Sequence, residues 1–160
     1  ERNHSHISYI NISEKYNFAN ERKASFLKNL KLNKIKFNKN YYASVKLEEP
    51  EKSFEIIKQM LTKNKKISAI ICSTEFSALS AIKACDFLNY KIGKDISIIT
   101  FDGALVRDLS SPPITAASFP VKELGKRAIN ILLSKKIKNQ STTFMPKSEI
   151  IERGSVHTVK

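Results

Sequence analysis

The chain has 160 residues, 41% of them hydrophobic and none of them Trp, with 28 Lys and Arg against 15 Asp and Glu, for a formal charge of +13. That length suits one globular domain, and no apolar run approaches the ~20 residues of a membrane helix. The charge does not by itself indicate a nucleic-acid binder: it is carried mostly by scattered lysines, as in residues 28–39 (KNLKLNKIKFNK), without a helix-turn-helix pattern or an aromatic-interleaved RNA-binding signature.

Taken in order, residues 7–12 (ISYINI) form an apolar run that predicts a first strand. Residues 20–30 place Phe26, Leu27 and Leu30 at helical spacing. Residues 41–47 alternate, as a strand near a sheet edge does, and Pro50 suits the start of a helix running to about Thr62. Residues 67–72 (ISAIIC) predict a buried strand, and Thr74 is placed to cap the helix after it, with Glu75 at its positive end. Residues 95–103 (DISIITFDG) predict a strand buried on both faces and ending on Asp102. This βα alternation, in units of roughly thirty residues, argues an α/β fold with a parallel sheet and flanking helices.

The pattern changes after Gly103. Residues 110–113 (SSPP) read as a loop, 114–117 as a short strand, 121–133 as an amphipathic helix, 135–143 as a basic connection, and 148–155 as a last strand and tail. Val121, Leu124, Ala128, Ile129, Leu132 and Leu133 make one apolar face of that helix. The earlier helices already cover the lobe, so the expectation is that this face pairs or swaps with a second copy. The chain opens on Glu1 without a methionine, which fits a processed or cut piece.

No enzyme constellation stands out: there is no phosphate-binding glycine loop, no paired-histidine zinc motif and no nucleophile elbow. The residues therefore predict no enzyme and no cofactor. Cys72 and Cys85 read as two buried, reduced thiols. His4 and His6 would share one strand face and could chelate a metal, but they lack a third ligand, so no metal site is assigned; His157 receives no role.

Two residues invite a ligand. In open α/β sheets, ligands sit beyond the carboxyl ends of the strands, which is where Asp102 falls. Arg22 falls near a helix start, where a cation works against the helix dipole, and its fork of donors would project toward the same crevice. The competing readings are a loop cap for Asp102 and a surface pairing of Arg22 with Glu21 or Glu14.

An ordered set of motifs then resembles one family. His4-x-x-Ile7 is similar to its G-H-x-x-I lead-in, with Asn3 for Gly, and Arg22-x-x-Ser25-Phe26 to its R-x-x-G-aromatic helix start. Residues 68–84 resemble its strand, A-N-D-x-x-A loop and helix; residues 94–102 resemble its P-x-D-I-S-V-V-G-F-D strand. Pro112–Thr115 with Leu124–Gly125, and the tail IERGSV at 151–156, complete the series. The family is the lactose-repressor (LacI) family, and the resemblance spans nearly the whole chain. Thr74 departs from its usual Asn, Ser25 and Ser80 from Gly, and Gly103 from a second Asp or Asn.

The resemblance implies a periplasmic-binding-protein-like (type I) fold, mainly its C-terminal lobe. Residues 1–103 would be that lobe, 104–140 a crossover segment and helix belonging to the first lobe, and 141–160 a return strand and tail. It implies a small-molecule effector (sugar, polyol or purine) held by Arg22, Thr74, Phe76 and Asp102. It also implies a cytoplasmic homodimer with Leu79 and Leu109 at its interface, operator DNA gripped only through an N-terminal head absent from this chain, and no membrane partner. The alternative is a sugar-binding receptor of a transport system with the same fold.

Overall fold

The computed structural model describes residues 2–102, 106–133 and 146–159. Its frame is a six-stranded sheet in the order β2-β1-β3-β4-β5-β6. The strands are β1 (Ile7–Ile12), β2 (Tyr42–Val45), β3 (Ala69–Cys72), β4 (Ser97–Phe101), β5 (Thr115–Ser118) and β6 (Glu149–Ile151). The first five run parallel, and β6 pairs antiparallel with β5 at the edge. The helices are α1 (Asn17–Leu32), α2 (Pro50–Lys63), α3 (Glu75–Phe87), the single turn α4 (Val106–Leu109) and α5 (Val121–Leu133).

Strand residues alternate between two layers, because successive side chains leave a strand on opposite faces. Ile10, Ile12, Ile70, Cys72 and Ile98 join Ile57 and Leu61 of α2 and Ala81 and Cys85 of α3 in the main core. Tyr9, on the other face of β1, packs with Phe26 and Leu30 of α1. Its ring stacks on that of Phe26 with centroids 4.7 Å apart. Both cysteines are buried and free.

Local sequence explains where the elements begin. Pro50 opens α2, where its missing N–H costs nothing. Thr74 caps α3: its Oγ1 accepts from the Ser77 N–H at 3.2 Å, while Ser77 Oγ accepts from the Thr74 N–H at 3.1 Å. The expected strand at 95–103 is shorter, ending at Phe101, and the last strand spans only Glu149–Ile151. Helix α1 starts at Asn17, three residues before the expected start. The expected basic connection at 135–143 lies outside the described residues.

The apolar face of α5 is not buried: none of this helix's residues enters the core, and Leu132 and Leu133 are 78% and 75% exposed. It does not pack into its own sheet.

The tail is sewn to the strands. Ser155, fully buried, donates its hydroxyl to the Ile98 carbonyl at 2.6 Å and accepts from the Thr115 N–H at 2.8 Å. Arg153 reaches the Ile114 carbonyl. Gly154 lies against the Gly93 turn so closely that a Cβ on Gly93 would sit 2.2 Å from the Gly154 carbonyl oxygen.

Candidate functional site

The carboxyl ends of β1, β3 and β4 lie side by side, as the register Ile10–Cys72 and Cys72–Thr100 requires. Ser73 ties two of them together: its Oγ accepts from the Ile12 N–H at 3.1 Å, and its own N–H donates to the Ile10 carbonyl at 2.9 Å. The chain therefore turns out of β3 at a fixed point, and Thr74 begins the next helix there.

Arg22 reaches this point from α1. Its guanidinium donates to the Ser73 carbonyl and lies 4.3 Å from the ring centroid of Phe101, the last residue of β4, and 5.1 Å from that of Phe18. Arginine suits both contacts, since a planar cation can hydrogen-bond at its edge while its face meets an aromatic ring. The residue is not at the helix start, as the sequence suggested, but in the second turn, so the opposition to the helix dipole does not apply. Nor does it pair with Glu14, whose carboxylate holds Lys23 and accepts from the Tyr42 hydroxyl at 2.7 Å. Lys23, then Tyr42, hold the Glu14 carboxyl below the usual carboxylate range.

Asp102 follows Phe101 directly, exposed, with φ +69. Aspartate tolerates this left-handed conformation better than most residues. Its N–H donates to the Ala117 carbonyl at 2.8 Å, which fixes the turn out of β4. The structure thus brings Arg22, Thr74 and Asp102 to one end of the sheet, with Phe76 in the first turn of α3, 56% exposed. Thr74 is largely occupied as a cap, since its hydroxyl also lies 3.2 Å from Ser77 Oγ.

Two neighbours escaped the sequence reading. Tyr16 and Phe18, at the mouth of α1, are each 41% exposed and stack on one another at 5.7 Å. The aromatic pair in KYNF was the signal, but only its exposure beside Arg22 separates it from core. One guanidinium, one carboxylate and several open aromatic faces can bind a ring that carries hydroxyl or carbonyl groups.

Leu79 of α3 and Leu109 at the end of α4 lie elsewhere, on a surface hollow they share with Ile82, Tyr90 and Pro112. The pairing of His4 with His6 does not occur. Both precede β1, His6 contacts the Tyr41 hydroxyl at 3.0 Å, and His4 turns to Ser68 and the tail. Among the described residues, no group of three or more His, Cys, Asp or Glu could hold a metal.

Residues 1–156 match the periplasmic binding protein-like domain. The chain belongs to that family. It is 31% identical over 160 residues to the HTH-type transcriptional repressor PurR of Yersinia enterocolitica, and 30% identical over 160 residues to that of Erwinia tasmaniensis. Each match covers 98% of the chain and 46% of the repressor, so the chain spans about half the length of these relatives. Solved structures share the fold. A sugar-binding LacI-family regulator from Escherichia coli, complexed with phosphate, superposes with TM-score 0.82 at 23% identity, over 99% of this chain and 57% of that one. The CelR–cellobiose complex gives 0.83 at 14% identity, over 96% and 47%. The resemblance to the LacI family and the periplasmic-binding-protein-like fold are thereby shown. The relatives are transcriptional repressors, not enzymes, and no helix among the described residues is long and apolar enough to cross a membrane.

Proposed function

We propose that the chain is the effector-sensing part of a LacI-type transcriptional regulator. The observation that carries this reading is Arg22, held by the Ser73 carbonyl and the Phe101 ring at the carboxyl ends of β3 and β4, where Asp102 follows Phe101 in the chain. The effector is a small molecule, a sugar, polyol or purine, met by Arg22, Thr74, Phe76 and Asp102. Residues 1–103 form one lobe, 104–140 cross to the other, and 141–160 return. The chain performs no catalysis. The protein is cytoplasmic and homodimeric, with Leu79 and Leu109 at the contact, and grips its operator through a head outside this chain. The identity to PurR repressors supports this reading over a transport receptor, and the sequence preceding residue 1 in the gene separates them: a helix-turn-helix against an apolar leader.

The test is a thermal-shift screen of the intact protein against neutral sugars, polyols and purine bases. A true effector at a hundredfold excess over its Kd stabilises by about 2.7 kcal/mol. Arg22→Ala and Asp102→Asn should each abolish that shift, measured against each variant's own unliganded melting temperature. A shift that survives both substitutions overturns the site. The dimer is tested by solution mass: Leu109→Glu should give single chains.

A further inference from the structure

The histidines left aside by the binding site meet at the opposite end of the sheet. His4 lies before β1, His157 lies in the tail, and their rings stand edge to face with centroids 5.0 Å apart. Between them sits Ser97, the first residue of β4, buried to 2% exposure. Its Oγ is 3.1 Å from His4 Nε2, 2.9 Å from His157 Nδ1, and 3.0 Å from the His157 backbone nitrogen. His4 Nε2 is also 3.0 Å from the His157 carbonyl oxygen, and His4 Nδ1 is 2.9 Å from Ser68 Oγ.

Donor counting fixes every proton. The His157 carbonyl can only accept, so His4 Nε2 carries the hydrogen and His4 Nδ1 accepts from Ser68. Ser97 Oγ accepts the His157 backbone N–H and the edge of the His4 donor, and its own proton goes to His157 Nδ1. Each donor that faces the cluster then has an acceptor, with both imidazoles neutral and the His157 Nε2–H directed away from it. A proton added to His157 Nδ1 would point at Ser97 and leave the serine hydroxyl proton with no acceptor in the cluster. A proton added to His4 would turn Ser68 around and set a cation in a half-buried place beside Arg2 and the second imidazole.

The surrounding charges do not offset this. Arg2, on the same segment as His4, pairs with Glu152. The residue before β3 and the first of β4 are the uncharged Ser68 and Ser97, and α1 with its C-cap contributes Asn29 and Asn33 to the hollow beside His4. The tail brings His157. No chelated ion fits between the rings, because Ser97 Oγ occupies the point where the two nitrogens converge.

We propose that His4, Ser97 and His157 form a proton-operated clasp, which pins residues 156–159 of the tail to residues 2–4 when both imidazoles are neutral and opens when the surroundings turn acidic. Burial supports the direction, with the facing imidazole and Arg2 adding to it: His4 is held below the ordinary imidazole value despite the opposing pull of the His157 carbonyl. Opening stops at Ser155, whose bonds to Ile98 and Thr115 involve no imidazole. The freed piece includes the bond from the Val159 N–H to the Arg2 carbonyl, 3.0 Å long.

Amide hydrogen exchange on the 160-residue chain tests the clasp. Between about pH 7.5 and 5.5, after correction for intrinsic rates, protection of the His157 and Val159 amides should fall several-fold. The Thr115 amide should not change. His4→Gln combined with His157→Asn replaces the ring donor and the ring acceptor by amides that take no proton in this range. It should keep the protection seen at neutral pH and lose most of the fall, whereas His6→Asn should behave like the wild type. Should the double variant not fold, the wild type still decides, by NMR of the imidazole Cε1–H signals. Loss of protection must follow the shift of the His4 signal. Protection that stays level while the His4 signal shifts, or a fall that persists in the double variant, overturns the clasp.

Discussion

Replacing Ser155 by Ala isolates the stitch that holds the tail to the sheet. The side chain is fully buried and its one oxygen serves two backbone groups, the Ile98 carbonyl at 2.6 Å and the Thr115 N–H at 2.8 Å. An N–H has a single hydrogen to give, so alanine leaves Thr115 at the head of β5 without a partner. A buried polar group left unpaired costs roughly 1–3 kcal/mol, and the lost bond to Ile98 adds about 0.5–1.5 kcal/mol. The expected loss is therefore about 2–4 kcal/mol, large against the whole stability of a domain. Urea unfolding measures it. With a slope of about 1–3 kcal/mol per molar, the midpoint should fall by roughly 1–2 M at unchanged slope. Ser44→Ala serves as the control, since that exposed hydroxyl makes only a 3.4 Å contact to the Ile12 carbonyl. A midpoint within about 0.3 M of the wild type would mean that Thr115 finds another acceptor, and that the tail is not fastened as described.

Other outcomes follow from single sites. Tyr9→Phe should leave stability equal or slightly raised in urea melts, because the buried Tyr9 hydroxyl has no partner among the described residues, and a loss above about 1 kcal/mol would reveal one. Gly93→Ala should lower the melting temperature markedly: φ +79 strains any side chain by roughly 1–3 kcal/mol, and the new methyl would meet the Gly154 carbonyl at 2.2 Å. The thiols should resist a disulfide reagent near neutrality until the chain unfolds. Burial pushes Cys85 up to about 12 and Cys72 higher than its ordinary value. The sign for Cys85 is that of a raised acid. Its contribution is intact below the unfolded thiol's 9.0 and is lost as the pH climbs from there toward about 12, so alkali should destabilise the fold and a Cys85→Ser variant should show less of that loss.

The strands were legible because buried strands must be apolar. ISYINI, SAIIC and SIITF declare themselves without help, and Thr74 and Pro50 mark helix starts by local chemistry alone. Asp102 was legible for the same reason, as the first polar residue past an apolar run. Arg22 was singled out with a wrong reason: periodicity places a helix but not its first residue, and the dipole argument depends on that residue. Tyr16 and Phe18 were missed because hydrophobic residues look alike whether buried or open. The roles of Ser97, Ser155 and His157 were out of reach, since each is defined by partners 40 to 153 residues away. The turn α4 was missed too; four residues carry no periodicity.

The hold on Arg22 has a consequence for whatever meets it. An arginine on a helix surface is usually loose, and a ligand that uses it must first immobilise it, at a cost of about 0.5–1.5 kcal/mol per side chain. Here the Ser73 carbonyl and the Phe18 and Phe101 rings have already done so during folding. A ligand arriving at the strand ends therefore finds its donors aimed before contact, and less of its binding energy is consumed in ordering the protein. The surplus, roughly a factor of three to ten in affinity, is left for moving larger pieces of the molecule.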